Sequence, residues 1–262
     1  GSRYHWDPGT GELDPEALDG VDAVVHLAGE NIAGGLWTAS RRRRILDSRV
    51  LGTRLLVSTL AAMRQPPRTL VSASGVNFYG SGNGIRDENS PPGDGFLAEV
   101  CRQWEAEALK ARDLGMGVCC MRTGIVLDPG GGALAKMLPA FRLGLGGPVG
   151  SGRQSFPWIA MDDLVDLYAR EVLEPRDSGP LNAVHPQQLD QRTFSRLLGR
   201  VLRRPARLPL PARMVRLLLG QMGEETLLAD LQIRPLVLEE RGHPFRYRSL
   251  EEALAVMLGR VN

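Results

Sequence analysis

At 262 residues the chain can bury one substantial core and a small appended domain. Its 32 basic and 30 acidic residues leave a net charge of +2, which makes no electrostatic case for nucleic acid or an anionic membrane. No apolar run approaches the ~20 residues of a membrane span. The three cysteines, two of them adjacent, read as small buried hydrophobes of a reducing, cytoplasmic compartment.

In chain order, a weakly alternating segment at 3–7 predicts a short strand, followed by turn chemistry at 7–11. The sequence DAVVHLAGEN at 22–31 reads as a buried parallel strand. It ends in small residues that let a ligand approach the backbone, as at the strand ends of open α/β sheets. Ser40 is the expected cap of a helix to about Met63, with Leu46, Val50, Val57 and Leu60 as its apolar stripe. A strand over 69–74, a Gly-rich loop over 80–95 and a helix from Phe96 to Leu114 follow. One strand is expected over 117–127, then a loop over 144–152, a helix capped by Asp162, and a strand over 181–184. Phe194, Leu197, Leu198, Val201 and Leu202 fall at helical spacing. The chain is mostly helical beyond Leu208, and Ser249 opens a capping box. Alternating strands and helices predict an α/β fold, a parallel sheet flanked by helices.

Polar side chains at strand ends are the candidates for chemistry. Ser74 could hydrogen-bond a substrate, and Tyr79 could act as an acid or a binder; alternatively both belong to a packed serine-rich turn. Arg122 could reach a phosphate or carboxylate, or it is an ordinary arginine among thirty. His26, His185 and His243 lack metal-ligand spacing, so no metal site is expected.

Taken together, HLAGEN, SASGVNFYG, RTGIV and SFPWIAMDDL resemble the extended short-chain dehydrogenase/reductases. WDPGTGELD, AGENIA, DSRVLGTRLL, SPPGDGFLAEVCRQWE, FRLGLGGPVGSGRQSFPWI and GHPFRYRSLEEAL narrow this to the atypical "epimerase family" branch of nucleoside-diphosphate-sugar epimerase relatives. The resemblance implies a Rossmann-like NAD(P)-binding domain over 1–205 and a small helical domain over 206–262. It places Leu27, Ala28 and Gly29 along the cofactor, Arg49 near its ribose or phosphates, Ser72 and Ala73 beside the nicotinamide half, and Arg122 and Val126 near the far end. Arg153, Phe156 and Trp158 would face a small-molecule substrate. The implied activity is that of an NAD(P)-dependent oxidoreductase or epimerase on a sugar nucleotide or small carbonyl compound, with NADP favoured over NAD. The alternative is a non-catalytic NAD(P)-binding or sensing module. An oligomer has no support in the sequence.

Two departures matter. The strand, Gly-rich phosphate turn and helix that open such folds are not among these residues. A missing N-terminal segment of roughly 40 residues is therefore expected, about one βαβ unit. The strand at 22–31 should then have an unpaired edge, and cofactor binding should be weakened by the loss of phosphate hydrogen bonds worth ~1.5–3 kcal/mol each. The second departure is the Tyr-x-x-x-Lys pair, which no tyrosine here forms. The lysine of that pair lowers the tyrosine pKa so that it can trade a proton near neutral pH.

Overall fold

Residues 4–82, 84–174 and 177–260 are described by a computed structural model. A hairpin opens the fold: β1 (Trp6–Asp7) pairs antiparallel with β2 (Glu12–Leu13). Asp7 closes its turn, accepting from Gly9 N through Oδ1 and from Gly11 N through its carbonyl. The strand expected over 3–7 is thus two residues long, and Arg3 lies outside the described residues.

β3 (Ala23–His26) leads through an irregular loop to α1 (Ala39–Ala61). Thr38, not Ser40, caps α1: its hydroxyl accepts from Arg41 N at 3.2 Å. Next come β4 (Thr69–Gly75), α2 (Phe96–Leu109) and β5 (Gly117–Thr123). The strand expected over 117–127 is interrupted. Gly124 breaks it into β5 and β6 (Ile125–Asp128), which join different sheets. A Cβ at Gly124 would lie 2.5 Å from the Pro157 carbonyl oxygen and 2.7 Å from Val184 Cγ1, so only glycine passes this corner.

α3 (Gly132–Arg142) and β7 (Trp158–Ala160) follow, β7 pairing parallel with β6. α4 (Met161–Leu173) begins after Ala160, so Asp162 stands in its first turn and does not cap it. The next strand, β8, covers Gly179–Ala183. The C-terminal part holds α5 (Gln191–Leu202), α6 (Ala212–Thr226), the short α7 (Leu236–Glu240) and α8 (Leu250–Met257). α6 is broken at Gly220, with φ 55°. Ser249 caps α8 as its sequence predicts, accepting from Glu252 N at 3.3 Å.

The main sheet is parallel, in the order β3-β4-β5-β8. Its strands alternate between two apolar layers, which is why they read as nearly continuous hydrophobic runs. Leu70, Val118 and Cys120 pack on Leu56 and Leu60 of α1, whereas Val71, Cys119, Met121 and Leu181 pack on Leu164 and Leu167 of α4. A third core lies under the small sheet, where Leu127, Trp158, Phe194 and Leu250 meet. That core draws on residues from both sides of residue 205. Among the described residues β3 pairs only with β4, so it is an edge strand, with Leu27 just beyond it 62% exposed.

Candidate cofactor crevice and buried polar network

The carboxyl ends of β3, β4 and β5 face the same way, because the sheet is parallel. At the end of β3, Leu27, Ala28 and Gly29 are exposed. Behind them Arg49 leans from α1 and donates to the carbonyls of Glu30 (3.0 Å) and Ile45 (3.1 Å). Its guanidinium covers the Trp104 ring at 5.1 Å. A Cβ on Gly29 would come within 3.0 Å of Arg49 Cζ, so the absence of a side chain there lets the arginine lie against the backbone. Ser48 Oγ also accepts from Glu30 N (2.9 Å). The loop after β3 is therefore clamped from α1 while its backbone at 27–29 stays open. Small residues with an open backbone at a parallel strand end fit the approach of a dinucleotide.

His26, the last residue of β3, is buried and bonds through Nε2 to the Thr53 hydroxyl (3.0 Å). Thr53 gives its own proton to the Arg49 carbonyl (2.7 Å), so it accepts from an Nε2–H imidazole. Burial pushes the His26 pKa down to about 4, keeping it neutral.

The side chains at the ends of β4, β5 and β8 form one network. Ser74, Arg122 and Asn182 are register partners across the three strands and share a face. Glu105 of α2 meets them there. Arg122 donates to Glu105 through Nε (2.9 Å) and Nη2 (2.7 Å), and Ser74 donates to the same carboxylate (2.6 Å). The third arm of Arg122, Nη1, reaches the Tyr79 hydroxyl (2.8 Å), which in turn donates to Asn182 Oδ1 (2.8 Å). Phe78 closes one side, its ring centroid 3.5 Å from Arg122 Cζ. Every member is buried. Burial acts to lower the Arg122 pKa, but the Glu105 carboxylate outweighs it and the net direction is up. Burial pushes Tyr79 up to about 12 against the opposing pull of Arg122. Both lone functions of the Tyr79 hydroxyl are taken, and so is the Ser74 proton.

Of the residues singled out in the sequence, Leu27, Ala28 and Gly29 stand open at the crevice, and Arg49 is half-buried behind them. Ser72 is buried with its hydroxyl on the neighbouring Ala73 carbonyl, so Ala73 is the more accessible of the two. Val126 lies across the Gly124 corner in the small sheet. The expectation for Phe156 and Trp158 needs correction: both rings are in the core. Phe156 stacks on Phe194 at 4.1 Å, and Trp158, fully buried, stacks on His185 at 4.3 Å. Their apolar bulk is used in packing, leaving Arg153 as the exposed member of that trio. Glu105, Asn182 and Glu88 were not visible as partners in the sequence. Glu88 is a buried carboxylate accepting from Asn182 N (3.0 Å) and Leu236 N (2.9 Å), which ties β8 to α7.

A cleft of ≈ 270 Å³ lies beside the network, between the turn after β4, the N-terminus of α2 and the end of α6. Glu225 of α6 spans it, accepting from Phe96 N (3.0 Å) and Leu97 N (2.8 Å) and thereby capping α2 from a distant segment. A larger depression of ≈ 1150 Å³ opens at the opposite end of the strands, among Asp22, Arg64 and Arg68, away from the strand ends just described.

Comparison with known proteins agrees with this layout. The model of the NAD dependent epimerase/dehydratase family matches residues 13–183, and that of a domain of unknown function, DUF1731, matches residues 210–257. Epimerase family protein Mb2239 of Mycobacterium bovis is 39% identical over 253 residues, spanning 96% of this chain and 83% of that protein. The crystal structure of human epimerase family protein SDR39U1 (isoform 2) with NADPH superposes with a TM-score of 0.87 at 34% identity, covering 93% of this chain and 84% of the human one. The nucleoside-diphosphate sugar epimerase from Corynebacterium glutamicum gives 0.76 at 38% identity, over 97% of this chain and 49% of that one.

Proposed function

Because the chain belongs to the NAD dependent epimerase/dehydratase family, we propose that it works as an NADP(H)-dependent oxidoreductase or epimerase on a sugar nucleotide or small carbonyl compound. The observation that carries this reading is the open backbone of Leu27, Ala28 and Gly29 at the carboxyl end of β3, clamped from behind by Arg49. In this reading those residues run along the cofactor. Ala73 and Val126 border its nicotinamide half, and Arg153 meets the substrate. The bound cofactor would supply or accept the hydride. NADP is favoured because the human relative at 34% identity was crystallised with NADPH. Ser72 and Arg122 support the crevice from below, and Ser74 and Tyr79 hold the strand ends in register.

One observation favours a second reading, a dinucleotide-binding module without turnover. The Tyr79 hydroxyl is pinned between Arg122 and Asn182 with its pKa at about 12, and the Ser74 proton is committed to Glu105. Neither group is free to relay a proton near neutral pH. Titration of the chain with NADPH and NADH by fluorescence, followed by cofactor oxidation assays over a panel of carbonyl compounds and sugar nucleotides, separates the two. Binding with turnover supports the enzyme, binding without turnover the module, and no binding of either cofactor even at millimolar concentration defeats both.

A further inference from the structure

A nearly balanced net charge conceals a segregation along the chain. Residues 129–161 and 191–223 hold no acidic residue, but three basic residues in the first stretch and eight in the second. All 30 acidic residues lie elsewhere, so the rest of the chain is net negative.

The fold brings the two stretches together. Leu208 N donates to the Gly146 carbonyl (3.2 Å) and Leu210 N to that of Pro148 (2.8 Å), so the linker after α5 runs beside the loop after α3. A Cβ on Gly144 would touch Pro205 at 3.3 Å. Large apolar side chains stand out from both partners: Leu143, 75% exposed, and Leu145 on one side, Leu208 on the other. α6 continues the surface. Val215 and Leu219 before the break at Gly220 and Met222 after it face inward, while Met214, Leu217 and Leu218 face solvent, Leu217 being 83% exposed. Arg203, Arg204, Arg207 and Arg213 lie on the linker after α5 and the start of α6 and are exposed, with no ion pair among the described residues. Single exposed leucines carry no message. Several of them, on three adjoining segments with four unpaired arginines, where the exposed carboxylate of Glu224 at the end of α6 is already neutralised by Arg216 (2.6 Å), form a patch of the size that marks an interaction site.

We propose that this face, formed by residues 142–145, residues 203–208 and the outer side of α6, docks on an anionic phospholipid surface. Arginine guanidiniums would meet lipid phosphates, and the leucines would enter the boundary between headgroups and acyl chains. Long arginine stems allow both at once, since the charged head stays in the polar layer while the carbons lie along apolar neighbours. A nucleic acid would match the arginines equally well, but it would leave Leu143, Leu217 and Leu218 in water. The outward faces also offer no aromatic ring on which a base could stack. No helix among the described residues is long and apolar enough to cross a membrane, so the contact is on the surface.

The test is co-sedimentation of the full chain with vesicles of phosphatidylcholine alone and of phosphatidylcholine mixed with phosphatidylglycerol. The mixed vesicles should carry the protein down, the neutral ones should not, and raised salt should release it. A triple variant with Arg203, Arg204 and Arg207 changed to Gln should weaken binding at least about tenfold. A second variant, Leu217→Ser with Leu218→Ser, should weaken it while leaving those charges intact. All five side chains are exposed, and thermal melting confirms that both variants fold. Equal binding to neutral vesicles, absence of binding, or binding untouched by the leucine changes would overturn the proposal. Retention of single-stranded RNA by the parent and the leucine variant alike, without vesicle binding, would assign the face to nucleic acid instead.

Discussion

At the scale of single residues, the Arg122–Glu105 pair governs how the strand ends are held. Both partners are buried, and the carboxylate also serves Ser74. Removing one charge from such a pair strands the other in a medium that solvates it poorly. Glu105→Gln keeps the shape and should lower unfolding free energy by about 3–5 kcal/mol, measured by urea denaturation. Glu99→Gln, which breaks the exposed pair with Arg102, should leave the midpoint unchanged. Equal effects of the two variants would refute the assignment. The His26 imidazole gives a pH prediction. Its folded pKa is about 4 against an ordinary 6.5, so between those values the unfolded chain binds a proton that the folded chain excludes. Stability from this residue is therefore complete above 6.5 and is lost as pH falls toward 4, by up to about 3 kcal/mol. Burial lowers His185 and His243 as well, and it raises Glu88 and Asp163, which act in the opposite sense. The measurement is accordingly a difference: urea melts at a series of pH values, with a shallower slope for His26→Gln than for the parent. The sequence marked Ser74, Tyr79 and Arg122 because strand ends present side chains to ligands. It could not show that Ser74, Arg122 and Asn182 align across three strands, since parallel register is fixed by packing at long range. Glu105, 31 residues beyond Ser74, carries no spacing signal at all.

At the scale of elements, apolar runs bounded by turn residues were sufficient to place β3 and β4, and helical spacing was sufficient for α1, α2 and α5. The reading failed where a local pattern continued through a change of partner. Residues 117–127 look like one strand because each half is apolar, yet β5 and β6 belong to different sheets. What turns the chain is the lack of a side chain at Gly124, against a carbonyl and a methyl that arrive from Pro157 and Val184. Gly124→Ala should therefore destabilise the fold by about 1–3 kcal/mol, although the glycine φ is not in the left-handed region. Gly82→Ala, where an added Cβ meets nothing within 4 Å, is the matched control. Thermal melting of the two variants decides between a steric corner and a mere loss of flexibility, because the latter would stabilise both. The same limit explains Phe156 and Trp158. Aromatic residues in a Gly-rich loop beside Arg153 resemble a binding wall, but a large ring is equally suited to filling a core, and here it does.

At the scale of the whole molecule, the sheet is protected unevenly. β4 and β5 have strands on both sides, whereas β3 has only β4 among the described residues. It also exposes apolar side chains, Val25 at 42% and Leu27 beyond it at 62%. An unpaired parallel strand offers a row of free backbone donors and acceptors to any second chain, and apolar side chains reward the encounter. α1 and α2 cover one face of the sheet and α4 the other, but cover on the faces does nothing for an edge. These 262 residues on their own should therefore self-associate with rising concentration through β3. A charge there should oppose it, because bringing two lysines together across a new strand pair costs both their solvation and their mutual repulsion. Val25→Lys should lower the concentration-dependent rise in light scattering without shifting the thermal midpoint much, since Val25 is already partly in water. A matching charge at Val256, exposed on α8, which packs on α5 and not on β3, should leave scattering as it was. If both lysines suppress scattering alike, association follows general charge and not the edge. If neither does, β3 is not the surface through which copies of the chain meet.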